Sequence, residues 1–528
     1  VNLDLALLNG SVIDGTGSAP VRADIGVIGG RIAVVGDLSS ASATQTLDVA
    51  ELMVAPGFVD THTHSDLAAF LAPDHDDIRL ANVRQGVTTE VSGNCGFSPF
   101  PVNPAAADAV TQYLTGIFGP PARVFATLDE MERAVLEVGL VNNLAPLVGH
   151  NTLRAAVVGS DDRHATEAEL KEMADLLDKA LASGAVGMST GLAYTPGNYA
   201  PPDEVTHLAS VVASHGRVYA THMRNETDEV LEAIEEALSV ASGTGVRLHL
   251  SHLKAGGERN WGRMPAMLGM LDDARGRGID VTADLYPYPA GSTLLHTLLP
   301  TWINAGGIDA LLGRLKDKES RRLVARQVHE GIPGWQNFVG AIGWENVVVA
   351  GAPSHPSYEG QSIAALAAAA GASDIDFVSE LLIAERATVM VIIRAMSEDD
   401  VGCALSWDHA MVGSDGVPVP GKPHPRIAGS FARVLGSHRG DEGALVEVIR
   451  KMTSLPADRF GLVDRGRIEE GAIADIVVFD AHQVTDRSTY DKPLLAPAGI
   501  KHVLVAGLGM ILDGEATDAT PGRVLHMA

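Results

Sequence analysis

Apolar and polar positions change period along the chain. Up to Pro56, apolar residues alternate in short runs broken by glycine, as in DLALLNGSVID and ADIGVIGGRIAVVGD. A period of two predicts strands, with turns at Asn9-Gly10 and Gly29-Gly30. The C-terminal stretches RGRIEEGAIADIVVFD and IKHVLVAGLGMILDG read the same way. No helix-length pattern interrupts the first of these ends. One small β domain built from both termini, residues 1–55 and 465–528, is therefore expected.

Between these ends strand and helix patterns alternate. Strands are predicted at 54–64, 87–93, 142–150, 185–191, 217–223, 246–252, 280–288 and 410–416. Helical runs lie between most of them. TEAELKEMADLLDKALASG carries Thr166 and Glu169 in capping-box spacing and stops at Gly184. ETDEVLEAIEEALSVASGTG repeats apolar residues at i, i+3 and i+4. Eight such units predict a (β/α)8 barrel over 56–464, with a doubly wound open sheet as the competing arrangement. The seventh and eighth strands lie too far apart for one βα unit. A mostly helical insertion near the barrel mouth, 289–350, is expected there, with ATVMVIIRAM among the elements leading back to the eighth strand.

Composition narrows the functional classes. A chain of 528 residues with 46% hydrophobic residues is globular, and its net charge of −27 repels nucleic acid and anionic membranes. Two cysteines, Cys95 and Cys403, cannot form a disulfide framework, and such usage is typical of the cytosol. The first residues lack the basic region of a signal peptide, and no uncharged apolar run approaches the ~18 residues of a membrane span. A cytoplasmic location fits these features.

The residues that close the predicted strands carry chemistry. The first strand ends in Asp60-Thr61-His62-Thr63-His64, and the second runs into Cys95. The fifth ends in Thr221-His222, the sixth in Ser251-His252 and the eighth in Ser414-Asp415-Gly416. Histidine is scarce, 19 in 528, yet four stand at strand ends, which in a barrel share one mouth. Residues i and i+2 of a strand point the same way, so His62 and His64 can share an ion. Cys95, His222 and His252 supply a thiolate and two imidazoles. That set suits zinc and leaves a fourth position open, as catalytic sites do. Asp415 can shuttle a proton, or join His62 and His64 at a second ion. The same residues allow blander readings. Cys95 could be a small buried hydrophobe, or a nucleophile with His222 as its base, and Asp415 a turn former.

APGFVDTHTHSD, the isolated His222 and His252, and SDG resemble the amidohydrolase superfamily. GNCGFSPFP, STGLAYTPG, THMRNE, LSHLKA, DLYPYPAGSTLL and HPRIAGSFARVLG narrow the resemblance to the D-aminoacylases, the N-acyl-D-amino-acid deacylases. The resemblance implies a barrel, a small β-sandwich from both termini and an insertion over the site. It implies that Cys95, His222 and His252 hold one zinc tightly. His62, His64 and Asp415 would form a second, weaker or vacant subsite, with Asp415 as proton shuttle. It also implies that Arg426 pairs with a substrate α-carboxylate, that Tyr288 and Ser292 hydrogen-bond it, and that Lys254 adds positive charge near the metal. Many superfamily members carry a carboxylated lysine at the end of the fourth strand. GMSTG has none there, and Cys95 takes over that part of the site. Members that cleave N-acyl-D-glutamate use an extra cation shortly after the Ser292 region. STLLHTLLPTW has leucines and His296 instead.

The expected activity is hydrolysis of N-acyl-D-amino acids with neutral or hydrophobic side chains, giving a carboxylate and a free D-amino acid. The substrate is a small molecule with a free α-carboxylate. One alternative is another C–N hydrolase of the superfamily, acting on a cyclic amide or a dipeptide containing a D residue. A more distant one is a non-enzymatic barrel scaffold, which predicts lost ligands, whereas all six positions are present.

Overall fold

The computed structural model of the chain describes residues 2–119 and 122–527. Eight parallel strands form the barrel: Phe58–Asp60, Val87–Ser92, Asn143–Gly149, Gly187–Gly191, Val218–His222, Arg247–Leu250, Val281–Leu285 and Ala410–Val412. They are hydrogen-bonded in sequence order. Past the last strand a parallel bridge from Gly416 to Thr63 brings the eighth strand back to the first. The Asp415 N–H donates to the His62 carbonyl there (2.7 Å). The expected barrel is thus present, and its open competitor is excluded by this near closure. Val59, Val91, Leu147, Val186 and Val218 pack in one cluster with Phe460 and Leu462, residues at the end of and just after helix Ser454–Phe460.

The helix Glu167–Ala182 begins as its sequence predicts. Thr166 Oγ1 accepts from the Glu169 N–H, and Glu169 reaches back to the Thr166 N–H, so both orphan donors are satisfied. Its buried face is Met173, Leu177, Ala180 and Leu181. Helix Val230–Thr244 stops at Gly245, whose φ of +71° is the left-handed cap that glycine adopts without cost.

Both termini build a separate, mostly antiparallel sheet of nine strands. The two halves of the chain meet where Met53–Pro56 pairs with Ile476–Phe479. Leu5, Ile25, Ile32, Val54, Ile476 and Leu504 share its core. Gly29-Gly30 is the expected hairpin turn. Asn9-Gly10 is not a turn. Strand Asn2–Val12 runs straight through it, and Asn9, at φ +65°, makes a bulge in the pairing with Val21–Ile28. The chain does not stay in this sheet to its end. Val524 bridges to Leu144, and the Met527 N–H donates to the Gly184 carbonyl, so the tail packs on the barrel.

The insertion is mostly helical, as expected, but it runs on past 350 to Arg394. It is centred on an antiparallel sheet of Ala290–Leu294, Met390–Arg394 and Val347–Gly351, with Met390–Arg394 in the middle. Helices Ile308–Lys316, Lys318–Glu330, Ile363–Ala370 and Asp374–Ala384 pack around it in a core of their own. Its central strand is the last in sequence, so a boundary at 350 omits the strand that joins the other two. Among the described residues no helix is long and apolar enough to cross a membrane.

Candidate metal centre

Three of the strand-end residues turn sharply. Cys95, His252 and Asp415 have φ of +53°, +38° and +48°, a left-handed region that non-glycine residues enter at a cost of order 1–3 kcal/mol each. For Cys95 the structure shows what holds it there. A Cβ on Gly93 would lie 2.2 Å from the Leu147 carbonyl, and one on Gly96 would lie 2.2 Å from Asn151 Oδ1. Ser189 Oγ donates to the Gly93 carbonyl and accepts from the Gly96 N–H (2.9 Å). Ser189 belongs to GMSTG, the fourth-strand end that lacks a lysine. That strand end instead clamps the loop that carries the thiol.

The loop aims Cys95 Sγ into a buried cluster of imidazoles. It is 3.3 Å from His62 Nε2, 3.3 Å from His252 Nε2 and 3.8 Å from His222 Nδ1. His222 Nδ1 and His252 Nε2 are 2.9 Å apart. His64 Nε2 and His62 Nε2 face Asp415 Oδ1 at 3.3 and 3.6 Å. The two expected donor sets are therefore neighbours, with the thiolate between them: His62 is as near to Sγ as His252 is. Tetrahedral zinc, with bonds of about 2.3 Å to sulfur and 2.0 Å to nitrogen, sets ligand atoms roughly 3.3–3.6 Å apart. The observed spacings bracket that range, and a thiolate with imidazoles is the donor chemistry zinc selects. The residues fit the ion.

Electrostatics prepares these donors. Burial would raise the Cys95 thiol, but His62 and His252 beside it outweigh burial and hold it well below its ordinary value. Burial would also raise Asp415; Arg426, His62 and His64 hold it well below the usual carboxylate range. Asp415 thus bridges the site. Oδ1 faces the histidines, and Oδ2 lies 2.8 Å from Arg426 Nη1.

Several residues that shape the site were not singled out from the sequence. Asp284 Oδ1 accepts from the His252 N–H (2.6 Å), while Oδ2 accepts from His249 Nε2 (2.8 Å) and lies 3.4 Å from His62 Nδ1. It is the next-to-last residue of the seventh strand, so the strand-end rule that flagged the candidate donors reaches it too. Asp60 accepts from the N–H groups of His62 and Ser414, tying the first strand end to the eighth, and burial pushes its carboxyl up to about 8. Glu226, four residues beyond His222 in an irregular loop, had no comparable signal.

A cleft opens over His222 and His252, walled by Tyr194, Tyr286, Ser292 and Leu298, with Trp335 and Phe338 from the insertion. Lys254 lines it and donates to Glu226 Oε1 (2.7 Å). Arg426 is buried behind this wall, its guanidinium 4.4 Å from the Tyr286 ring and Nη2 3.4 Å from the Ser292 carbonyl. Its Nε and Nη1 have no aligned hydrogen-bond acceptor. Tyr288 is elsewhere. Its ring packs on Arg433 and His424, and its neighbour Tyr286 takes the place beside the cleft. The Tyr288 N–H donates to the Tyr286 carbonyl (2.9 Å), a reversal over three residues that sends the two rings apart. His296 lies in an adjoining pocket, bonded to Asn304, and desolvation pushes it down to about 4.

Residues 45–508 match the Amidohydrolase family. The chain is 40% identical to N-acyl-D-glutamate deacylase of Alcaligenes xylosoxydans xylosoxydans, covering 99% of this chain and 96% of that one. It is 37% identical to D-aminoacylase of the same organism, covering 99% and 97%. A crystal structure of N-acyl-D-glutamate deacylase from Bordetella bronchiseptica, complexed with zinc and a phosphonate that mimics the tetrahedral intermediate, superposes with a TM-score of 0.84 at 36% identity over the whole of both chains. With that likeness over its full length and the same barrel, the chain belongs to the amidohydrolase family, among the D-aminoacylases and N-acyl-D-amino-acid deacylases.

Proposed function

We propose that the protein is a zinc-dependent hydrolase of N-acyl-D-amino acids with neutral or hydrophobic side chains. The observation that carries this reading is the placement of Asp415, with one oxygen at the metal donors and the other on a buried guanidinium. Zinc, when bound, supplies Lewis-acid polarisation of the acyl carbonyl and a water that ionises near pH ~7. Cys95, His222 and His252 would hold it, with His62 and His64 beside a second, weaker position. Asp415 accepts the proton of the attacking water and returns it to the leaving nitrogen. Arg426, Tyr286 and Ser292 hold the α-carboxylate, and Lys254, paired with Glu226, adds positive charge near the metal donors. A fixed carboxylate and a fixed scissile carbonyl leave the side chain and hydrogen at Cα one arrangement each, which is how one enantiomer is selected.

The wall contacts support the side-chain preference. Leu298, Trp335, Phe338 and Ile393 line the cleft, and Lys254, its cation, is already engaged by Glu226. His296 adds no positive charge at neutral pH. The free thiols of Cys95 and Cys403 fit a reducing, cytoplasmic setting, and the net charge of −27 disfavours nucleic acid and membrane partners.

A panel of N-acetyl-D- and L-amino acids with zinc tests the reading. N-acetyl-D-leucine and N-acetyl-D-methionine should outpace N-acetyl-D-glutamate, and the α-amide of N-acetyl-D-leucine should react poorly. Activity confined to the L series would refute the stereochemical assignment, and an equally good α-amide would remove the role of the carboxylate. The tyrosines give a second test. Tyr286→Phe should raise KM for N-acetyl-D-leucine about tenfold or more, since a hydrogen bond to a charged group is worth ~1.5–3 kcal/mol. Tyr288→Phe should leave KM unchanged.

A further inference from the structure

His222 and His252 each turn one ring nitrogen toward Cys95 and the other toward a single carboxylate. His252 Nδ1 is 3.0 Å from Glu226 Oε1, and His222 Nε2 is 3.5 Å from Glu226 Oε2. Glu226 is 1% exposed. Lys254 Nζ donates to Oε1 at 2.7 Å and lies 2.6 Å from His252 Nδ1, and Gln336, from the insertion, accepts from the Glu226 backbone N–H at 2.6 Å. The carboxylate is therefore fixed from the barrel and from the insertion.

A neutral imidazole carries one N–H and one lone pair. An imidazole that gives its lone pair to zinc must carry its proton on the opposite nitrogen, where a carboxylate can accept it and the Lys254 ammonium cannot. The two ligands need different tautomers: the proton on Nε2 of His222 and on Nδ1 of His252. We propose that Glu226 is a positioning residue that sets both tautomers at once, one with each oxygen, and so presents both lone pairs on the side of Cys95. The inference rests on the zinc reading above. The same three side chains are close enough to hold an ion by themselves. Two features oppose that use. Oε1 is already engaged by Lys254. The thiolate side also offers zinc a softer donor set. Glu226 has a second consequence: the cation of the cleft and two metal ligands share one anchor.

The test is zinc affinity of the full chain, measured by competition with a chelator. Glutamine has one acceptor oxygen, and its NH2 would face the second imidazole and reverse that tautomer. Glu226→Gln should bind zinc roughly 10–100-fold more weakly, the usual effect of losing such a partner. Its cobalt form should keep the thiolate-to-cobalt charge-transfer band. Glu226→Asp keeps the charge but not the span and should fall between Gln and wild type. It carries the test if the Gln variant does not fold. Glu204→Gln is the control: Glu204 is a buried acid on His150 and Arg154, outside the metal site, and its loss should leave zinc affinity unchanged. Wild-type affinity in both Glu226 variants, an equal loss in Glu204→Gln, or disappearance of the charge-transfer band would each overturn the assignment. Failure of the wild-type chain to bind zinc would instead overturn the metal reading itself.

Discussion

Cys95→Ala is expected to lose zinc and hydrolysis together. Without Sγ the cluster keeps four imidazoles and Asp415, and Asp415 is held by Arg426. The thiolate is the anionic donor at the centre, 3.3–3.8 Å from His62, His252 and His222. Removing it leaves imidazoles and one carboxylate already paired with Arg426, a set that binds zinc far less well than one with a thiolate. Turnover should fall at least ~10³-fold, because the ion supplies several kcal/mol of transition-state stabilisation and each 1.36 kcal/mol is a factor of ten. The loop itself should survive, since Ser189 holds it through backbone groups of Gly93 and Gly96. Metal-free wild type and variant should therefore melt within a few degrees of each other. Metal analysis separates the ligand from a nucleophile: a nucleophilic cysteine would lose activity and keep its zinc.

Asp415→Asn should have the opposite signature, with zinc retained and turnover lost. The Cys95, His222 and His252 donors do not need Asp415, and its backbone stays fixed by the His62 carbonyl. Asparagine cannot take a proton, so kcat should drop by about 10²–10⁴, the range for losing a general acid–base group. KM should change little. The variant keeps an acceptor for Arg426, so the stability loss should stay below the ~3–5 kcal/mol of baring a buried charge. A kcat within tenfold of wild type would remove Asp415 from proton transfer. Chelator competition and steady-state kinetics on the same preparations distinguish the two variants.

The six candidate donors were legible because they obey a local rule. Each stands where an apolar run stops, and a barrel gathers those stops at one mouth. The spacing of His62 and His64 adds strand geometry to that rule. The residues proposed to hold the substrate follow no such rule. Tyr286 and Tyr288 lie past Leu285, the last residue of the seventh strand, where alternation no longer says which way a side chain points. The hydrogen bond between their backbones reverses the chain, and the ring expected at the cleft belongs to the other tyrosine. The far boundary of the insertion was hidden for a different reason. Met390–Arg394 reads as a buried apolar run whichever sheet it joins, and its partners lie 39 or more residues earlier.

By itself the sequence determined the barrel, the pairing of both termini in one domain and the six residues at the strand ends. Periodicity, turn chemistry and strand termination are properties of neighbouring residues, and they survive without knowledge of what packs against them. Tertiary structure decided what those residues meet. Glu226 comes to both His222 and His252 through an irregular loop, and Ser189 secures a loop almost a hundred positions earlier in the chain. Arg426 reaches Asp415 from the helix Arg426–Ser437 that follows it. Such contacts depend on how loops and helices cross in space, and no local pattern of side chains specifies that crossing.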